Sequence, residues 1–147
     1  MGAFEAGQLF ARQWTHRTRL VVGLWHGLCA SPTGAHEAMR RGIMACRANL
    51  GLTGGGYHRT RTEFFLKMIG AFAIAAPREL NLVSLANALL ASALTRTDLA
   101  DAFYTPARLS STAARDTWLE PDLRALAWPA LVGGITARRP TLCAEAA

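Results

Sequence analysis

The chain has 147 residues, of which 51% are hydrophobic and 18% charged, a composition that indicates a folded domain and excludes a disordered protein. Its formal net charge is +6, but the basic residues are scattered and form no stripe with aromatic residues, so charge alone does not indicate a nucleic-acid binder. The longest apolar stretches, residues 64–76 and 80–94, fall short of the length that a membrane-spanning helix needs.

Apolar residues that recur at spacings of three and four predict five main helices. The second of them has Thr15 before its first turn, where a hydroxyl can accept a hydrogen bond from a free backbone amide. The fifth consists almost wholly of apolar or small residues, so we expect it to be the central buried helix of the fold. In chain order, the helices are predicted over residues 3–12, 16–29, 35–50, 57–75 and 81–94.

Toward the C-terminus the predicted elements become short. Thr105 followed by Pro106 is typical of a helix cap and first turn, and residues 110–112 offer a second cap before another short helix. Frequent prolines and glycines then make long helices unfavourable, so we expect a loosely ordered tail over residues 129–147. No run of alternating β-branched residues predicts a sheet. The fold prediction is an all-α bundle over residues 1–128, followed by that tail.

Polar side chains collect at the starts of the second and fourth predicted helices. On the second helix, His16 and Arg19 share one face with Gly23, which leaves room beside them. The fourth helix follows a glycine-rich loop and carries a matching polar group in its first turns. If the two helix starts meet, their imidazole and guanidinium groups and their free backbone amides favour a bound anion. The group on the fourth helix is His58, Arg59 and Thr62.

The same residues also have plain structural interpretations. His16 can be an exposed first-turn residue, and Arg59 can pair with Glu63 at a spacing of i, i+4 on a solvated helix face. His26 and Cys29 are spaced as two metal ligands on one helical turn. No matching pair elsewhere in the sequence completes a metal site, so this signal is weak.

Three segments carry longer sequence motifs. Residues 14–20 read W-T-H-R-T-R-L, residues 56–62 read G-Y-H-R-T-R-T, and residues 103–123 contain F-Y-T-P-A-R-L and A-R-D-T-W-L-E-P-D-L. They resemble a family of small, uncharacterised bacterial helical proteins with the patterns W-T-H-x-x-H-L, Y-H-E-T-x-T, and Y-Y-S-x-x-R-L followed by A-R-x-x-W-x-x-P-D-L. The resemblance spans residues 10–125 and implies an all-α fold and a bacterial protein, but no particular reaction.

Two positions depart from the family patterns. Arg19 stands where the first pattern has its second histidine, and Arg59 stands where the second pattern has a glutamate. Two or three histidines with a glutamate would resemble a divalent-metal or acid–base site. The two arginines remove potential ligands and add fixed positive charge. If the same pocket exists in this chain, we therefore expect it to bind an anion and no metal.

The candidate site divides into acid–base and substrate-binding residues. We expect His16 and His58 to act as acid–base groups, because a neutral imidazole titrates near working pH and neighbouring arginines favour that neutral form. The third motif contributes a wall to this site or, as an equally weighted alternative, only closes the bundle by packing. The expected substrate-binding residues are Arg19, Arg59, Thr62, Tyr104 and Arg108.

These patterns predict a small, cofactor-independent enzyme of the lyase, isomerase or cyclase type, acting on a small anionic organic molecule of the kind met in specialised metabolism. The alternative is a non-catalytic binding or accessory protein whose family site has degenerated, and a nucleic-acid binder ranks third. The three widely spaced cysteines argue against a disulfide framework and favour the reducing cytoplasm. We expect no membrane segment, and an apolar helix face would be compatible with a homodimer.

Overall fold

The computed structural model describes residues 3, 13–53 and 56–126 of the chain. Within these residues every regular element is helical, which confirms the predicted all-α class. Two 3-10 helices, Ala93–Thr95 and Leu99–Ala102, separate four longer α-helices from two short ones. The α-helices are α1 His16–Cys29, α2 Pro32–Asn49, α3 Arg59–Ala75, α4 Leu82–Leu90, α5 Pro106–Ser110 and α6 Thr112–Asp116.

Capping side chains set where the helices begin. The Thr15 hydroxyl accepts a hydrogen bond from the Thr18 amide, so α1 has the predicted bounds. Ser31 caps α2, and Pro32 fits its first turn because a missing amide hydrogen is harmless there, so α2 begins three residues earlier than predicted. The imidazole of His58 caps α3, which therefore begins at Arg59, two residues later than predicted.

Helix α1, and not α4, lies at the centre of the described fold. It packs against α2, α3 and α4, and it contributes Leu20, Leu24 and Leu28 to the core. The prediction of a central helix over residues 81–94 is wrong, because α4 ends at Leu90 and exposes 69% of Val83. Overall apolar content does not make a helix central; α1 is central because its buried residues face several neighbours at once.

Three hydrophobic clusters hold the helices together. The first joins α1, α3 and α4 around the three leucines of α1. The second joins α1 to α2 through Val22, Met39, Ile43 and Cys46. The third joins α3 to the C-terminal segments through Phe64, Phe103 and Tyr104. Consequently α3 is fixed from two sides, by α1 and by the segments that follow α4.

Gly23 determines how closely α1 and α3 approach. A Cβ atom at this position would lie 2.9 Å from Ile69 Cδ1 and 3.4 Å from Leu66 Cδ2, so a larger residue would force α3 side chains to move. The glycine that shares a face with His16 and Arg19 thus lies where the two helices pass each other.

Several expectations concern cysteines, membranes or the chain ends. The cysteine spacing argues against a disulfide framework, yet Cys29 is disulfide-bonded. Spacing in sequence does not report distance in space. Cys46 is fully buried. None of the described helices is both long and apolar enough to cross a membrane.

Two predicted segments lie outside the described residues: the tail over residues 129–147, and the helix over residues 3–12 apart from residue 3.

Candidate functional site

A cavity of about 260 Å³ lies between α1, α2 and α3. Its polar lining comes from the first turns of α1 and α3 and from one residue after the first 3-10 helix, so the two helix starts meet at this cavity. Its apolar lining comes from α2 and from later turns of α1 and α3. The polar lining residues are His16, Arg19, Arg61, Thr62 and Thr97.

Arg19 is the charged group of this cavity that has no acidic counter-charge in the part of the chain that the structure describes. Its guanidinium carbon lies 4.4 Å from the centre of the Trp14 ring, a stacked cation–π arrangement. Its Nε atom is buried without a hydrogen-bond partner, and no carboxylate of the described residues lies within ion-pairing distance. Burial lowers the pKa of Arg19, and the positive charge of Arg47 lowers it further. A partly buried cation in this state is stabilised by any anion that enters the cavity.

One ring nitrogen of His16 is hydrogen-bonded, and the other has no hydrogen-bond partner among the described residues. Its Nε2 lies 2.9 Å from the carbonyl oxygen of Leu94, so Nε2 carries the proton and donates it to that oxygen. The imidazole ring also packs edge-on against the Phe65 ring, with 4.6 Å between the ring centroids. Within the described part of the chain, Nδ1 has no hydrogen-bond partner and keeps its lone pair. Burial lowers the pKa of His16, the Leu94 hydrogen bond opposes this, and Arg19 lowers the pKa further, so the neutral form dominates at pH 7.

Arg61 and Thr97 line the cavity but are absent from the predicted site. Arg61 differs from Arg19 in being paired, because its Nη2 lies 3.2 Å from Asp101 Oδ1. One signal in the sequence points to it: the tetrapeptide H-R-T-R occurs at residues 16–19 and again at residues 58–61, so Arg61 matches Arg19. Thr97 lies in a connecting segment and has no comparable signal.

His58 does not line this cavity, and both of its ring nitrogens are used by the fold. Nδ1 accepts a hydrogen bond from the Arg61 amide at 3.2 Å, and Nε2 donates to the carbonyl oxygen of Leu109 at 2.8 Å. Burial lowers the pKa of His58, Leu109 opposes the effect, and Arg61 and Arg115 add to it. The structure therefore places the two predicted acid–base histidines apart and gives His58 a structural task.

Arg59 also lies away from the His16 cavity. Its Nε is 3.5 Å from Glu63 Oε2, which is the i, i+4 pair of the plain structural interpretation. It lines a second cavity of about 390 Å³ together with Tyr57, Arg40 and Arg115. Of the predicted substrate-binding residues, only Arg19 and Thr62 therefore share a cavity with His16.

The residues of the third motif hold the C-terminal segment in place. The buried Tyr104 donates its hydroxyl to the carbonyl oxygen of Leu119 at 2.9 Å, and burial raises the pKa of this tyrosine. Arg108 Nε donates to the carbonyl oxygen of Glu120 at 2.8 Å. Asp122 accepts hydrogen bonds from the amide and hydroxyl of Thr105. These bonds agree with the packing interpretation of the motif and leave Tyr104 and Arg108 outside the His16 cavity.

The geometry gives no support to the metal-ligand interpretation of His26 and Cys29. Cys29 is disulfide-bonded, so it offers no free thiolate to a cation. In the described residues, no three side chains of histidine, cysteine, aspartate or glutamate come together.

Comparison of the chain with protein-family models, curated proteins and solved structures found no match. The functional argument therefore depends on the geometry and charge of the cavity.

Proposed function

We propose that this protein binds a small organic anion in the cavity between α1, α2 and α3 and transfers a proton on it through His16. The observation that carries the proposal is the state of Arg19, a partly buried guanidinium without a carboxylate partner among the described residues. Burial weakens the hydration of the Arg19 guanidinium. A carboxylate that reaches its N–H groups therefore forms charge-assisted hydrogen bonds with little competition from water.

The charges around the cavity favour an anion over a cation. Arg19 has no acidic partner, and Arg47 adds a second positive charge close enough to lower the pKa of Arg19. Asp101 is already paired with Arg61, so it offers little attraction to a bound cation. The family pattern that the sequence resembles has a histidine where this chain has Arg19. The arginine replaces a potential metal ligand by a fixed positive charge, which also favours an anion.

His16 supplies the chemistry in this proposal. Its neutral Nδ1 can take a proton from the carbon next to a carboxylate, and the electrons of the broken C–H bond then move onto that carboxylate, beside Arg19. Return of the proton to the other face or another carbon gives an isomerisation, and loss of a neighbouring leaving group gives an elimination. Both are reactions of a cofactor-independent isomerase or lyase.

A second candidate function is non-catalytic binding of the same anion. The position of His58 favours this alternative, because an enzyme with two acid–base groups would need a second imidazole in the cavity and His58 is engaged elsewhere. The two candidates share the Arg19 site and differ in whether a product forms.

The binding step is tested with Arg19→Gln and a matched control, Arg41→Gln, which removes the same charge from an exposed position of α2. An anion that binds the wild-type protein at a concentration a hundred times its Kd should stabilise it by about 2.7 kcal/mol. The stabilisation should persist in Arg41→Gln and be largely lost in Arg19→Gln. Equal stabilisation of both variants would contradict the proposed site.

The catalytic step is tested by deuterium uptake from solvent into an anion that binds. The wild-type protein should exchange the C–H hydrogen next to the carboxylate, and His16→Gln should bind the anion without exchanging it. Binding without exchange in the wild-type protein would favour the non-catalytic alternative.

A further inference from the structure

We infer that the guest of the Arg19 cavity is a monocarboxylate with an apolar body, and that phosphate esters and dicarboxylates are poor ligands. This inference rests on the proposed function and makes its substrate class specific. It follows from the number of unmatched charges, the chemistry of the walls and the size of the space.

The polar lining presents one unmatched positive charge. Arg61 is the other cation of the lining, and its Nη2 lies 3.2 Å from Asp101 Oδ1, so its charge is already matched. Arg19 has no such partner among the described residues. A single carboxylate balances one guanidinium and fits its fork of N–H donors. A phosphate dianion would bring a second negative charge for which this lining provides no further unpaired cation.

The hydroxyls of Thr62 and Thr97 add hydrogen-bond donors but no charge, and the apolar part of the lining offers no site for a second charged group. It consists of hydrocarbon, aromatic and thioether side chains from all three helices, and these cannot donate a hydrogen bond. A second carboxylate pressed against them would lose its hydration without compensation, which is strongly unfavourable. An apolar body would instead be favoured in proportion to the area it buries. These side chains are Leu20, Met39, Ile43, Phe65, Leu66 and Ile69.

The size of the cavity further limits the class of ligand that it can hold. Its volume of about 260 Å³ lies just below the range of roughly 300–1,000 Å³ typical of sites for drug-sized ligands. Nucleotides and acyl-coenzyme thioesters are too large for it. A short aliphatic chain or a single aromatic ring with a carboxylate fits this space.

The inference is tested by calorimetric titration of the full chain with five probes: acetate, hexanoate, 4-phenylbutanoate, glutarate and inorganic phosphate. Affinity should rise from acetate to hexanoate, by about fourfold for each methylene that becomes buried. Hexanoate and 4-phenylbutanoate should both bind more tightly than glutarate or phosphate, because only they place hydrocarbon against the apolar walls.

A cycle of ligand and protein changes locates the carboxylate. Arg19→Gln should weaken 4-phenylbutanoate about tenfold or more and change the binding of 4-phenylbutanamide, its neutral counterpart, by less than about twofold. Arg41→Gln should leave both affinities unchanged. Thermal unfolding of each variant confirms that it is folded before it is titrated.

The outcomes separate this inference from the proposed function. If phosphate or glutarate binds most tightly and Arg19→Gln abolishes that binding, the anion site stands and the monocarboxylate class is overturned. If none of the five probes binds, or if Arg19→Gln weakens the amide as much as the acid, both the anion site and the inference fail.

Discussion

The tetrapeptide H-R-T-R occurs at residues 16–19 and at residues 58–61, and the structure uses the two copies differently. In the first copy Thr15 caps α1 and His16 is the first helical residue, whereas in the second copy His58 is itself the cap of α3. The helix thus begins one position later relative to the tetrapeptide in the second copy. Side chains of the two copies consequently meet different surroundings.

The polar groups of the second copy form bonds within the fold. In the first copy, Nδ1 of His16 and the Nε of Arg19 have no hydrogen-bond partner among the described residues. Thr60 is fully buried and bridges the backbone of residues 117 and 119, while Thr18 remains half-exposed. His58 uses both ring nitrogens and His16 uses one. The motif alone therefore does not decide function. Side chains of both copies reach backbone carbonyls; what distinguishes the copies is a carboxylate within reach of Arg61 and a backbone partner for each ring nitrogen of His58.

The largest difference between the copies is expected at their threonines. Thr60→Val should lower the free energy of unfolding by about 2–3 kcal/mol, because the fully buried hydroxyl of Thr60 bonds to both the Thr117 carbonyl and the Leu119 amide, and valine leaves both without this partner. Thr18→Val removes a half-exposed hydroxyl and should lower it by less than about 1 kcal/mol. Urea denaturation of both variants measures the difference. Equal losses would show that the two copies are structurally equivalent.

The histidines should show the next largest difference. His58→Ala removes the cap of α3 and the bond to Leu109, so we expect a loss of about 2 kcal/mol in unfolding free energy. His58→Asn should recover about half of it, since asparagine is a good helix cap. His16→Ala should lose only about 1 kcal/mol. A neutral effect of His58→Ala on stability would reopen the acid–base role predicted from the sequence.

A smaller loss is expected on acidification. Burial lowers the pKa of His16 and of His58 below the ordinary value of 6.5, so the unfolded chain binds more protons than the folded one once the pH falls below that value. The contribution of these histidines to stability should be constant at neutral pH and above, and should fall as the pH drops through 6.5 toward the folded-state values. Denaturation curves measured across this window in wild-type and His58→Asn protein should show a shallower decline for the variant. If stability falls equally steeply with pH in the variant and the wild-type protein, His58 is not a source of the pH dependence.

The smallest effect is expected at the arginines. Arg19→Gln removes a partly buried charge that has no counter-charge, so stability should change by less than about 0.5 kcal/mol or rise slightly. Arg61→Gln breaks its exposed pair with Asp101 and should cost up to about 1 kcal/mol. A clear loss of stability in Arg19→Gln, measured by thermal unfolding without ligand, would mean that Arg19 serves the fold.

Local sequence signals predict most of the described fold. The bounds of α1 follow from Thr15 and the spacing of its leucines, and the short helices after residue 105 follow from Thr105, Pro106 and Ser111. The centre of the fold is harder to predict, because burial depends on which helices become neighbours. An almost wholly apolar segment was expected there, and α4 instead keeps one face in solvent.

The candidate site is predictable only where it lies on a regular helix face. The spacing of His16, Arg19 and Gly23 places all three on the cavity. At the start of α3, a cap formed by the imidazole itself shifts the first turn and takes His58 out of the cavity while Arg61 enters it. Thr97 comes from a segment that only the tertiary fold brings near, so no local pattern could find it.

The central claim is that the first copy of the tetrapeptide binds an anion and the second does not. Imidazole nitrogen–hydrogen correlation spectra, assigned with His16→Asn and His58→Asn, follow both rings during a titration with 4-phenylbutanoate. We predict that the ring signals of His16 shift saturably and those of His58 stay unchanged. Saturable shifts at His58 with none at His16, or binding that moves neither ring, would contradict the account.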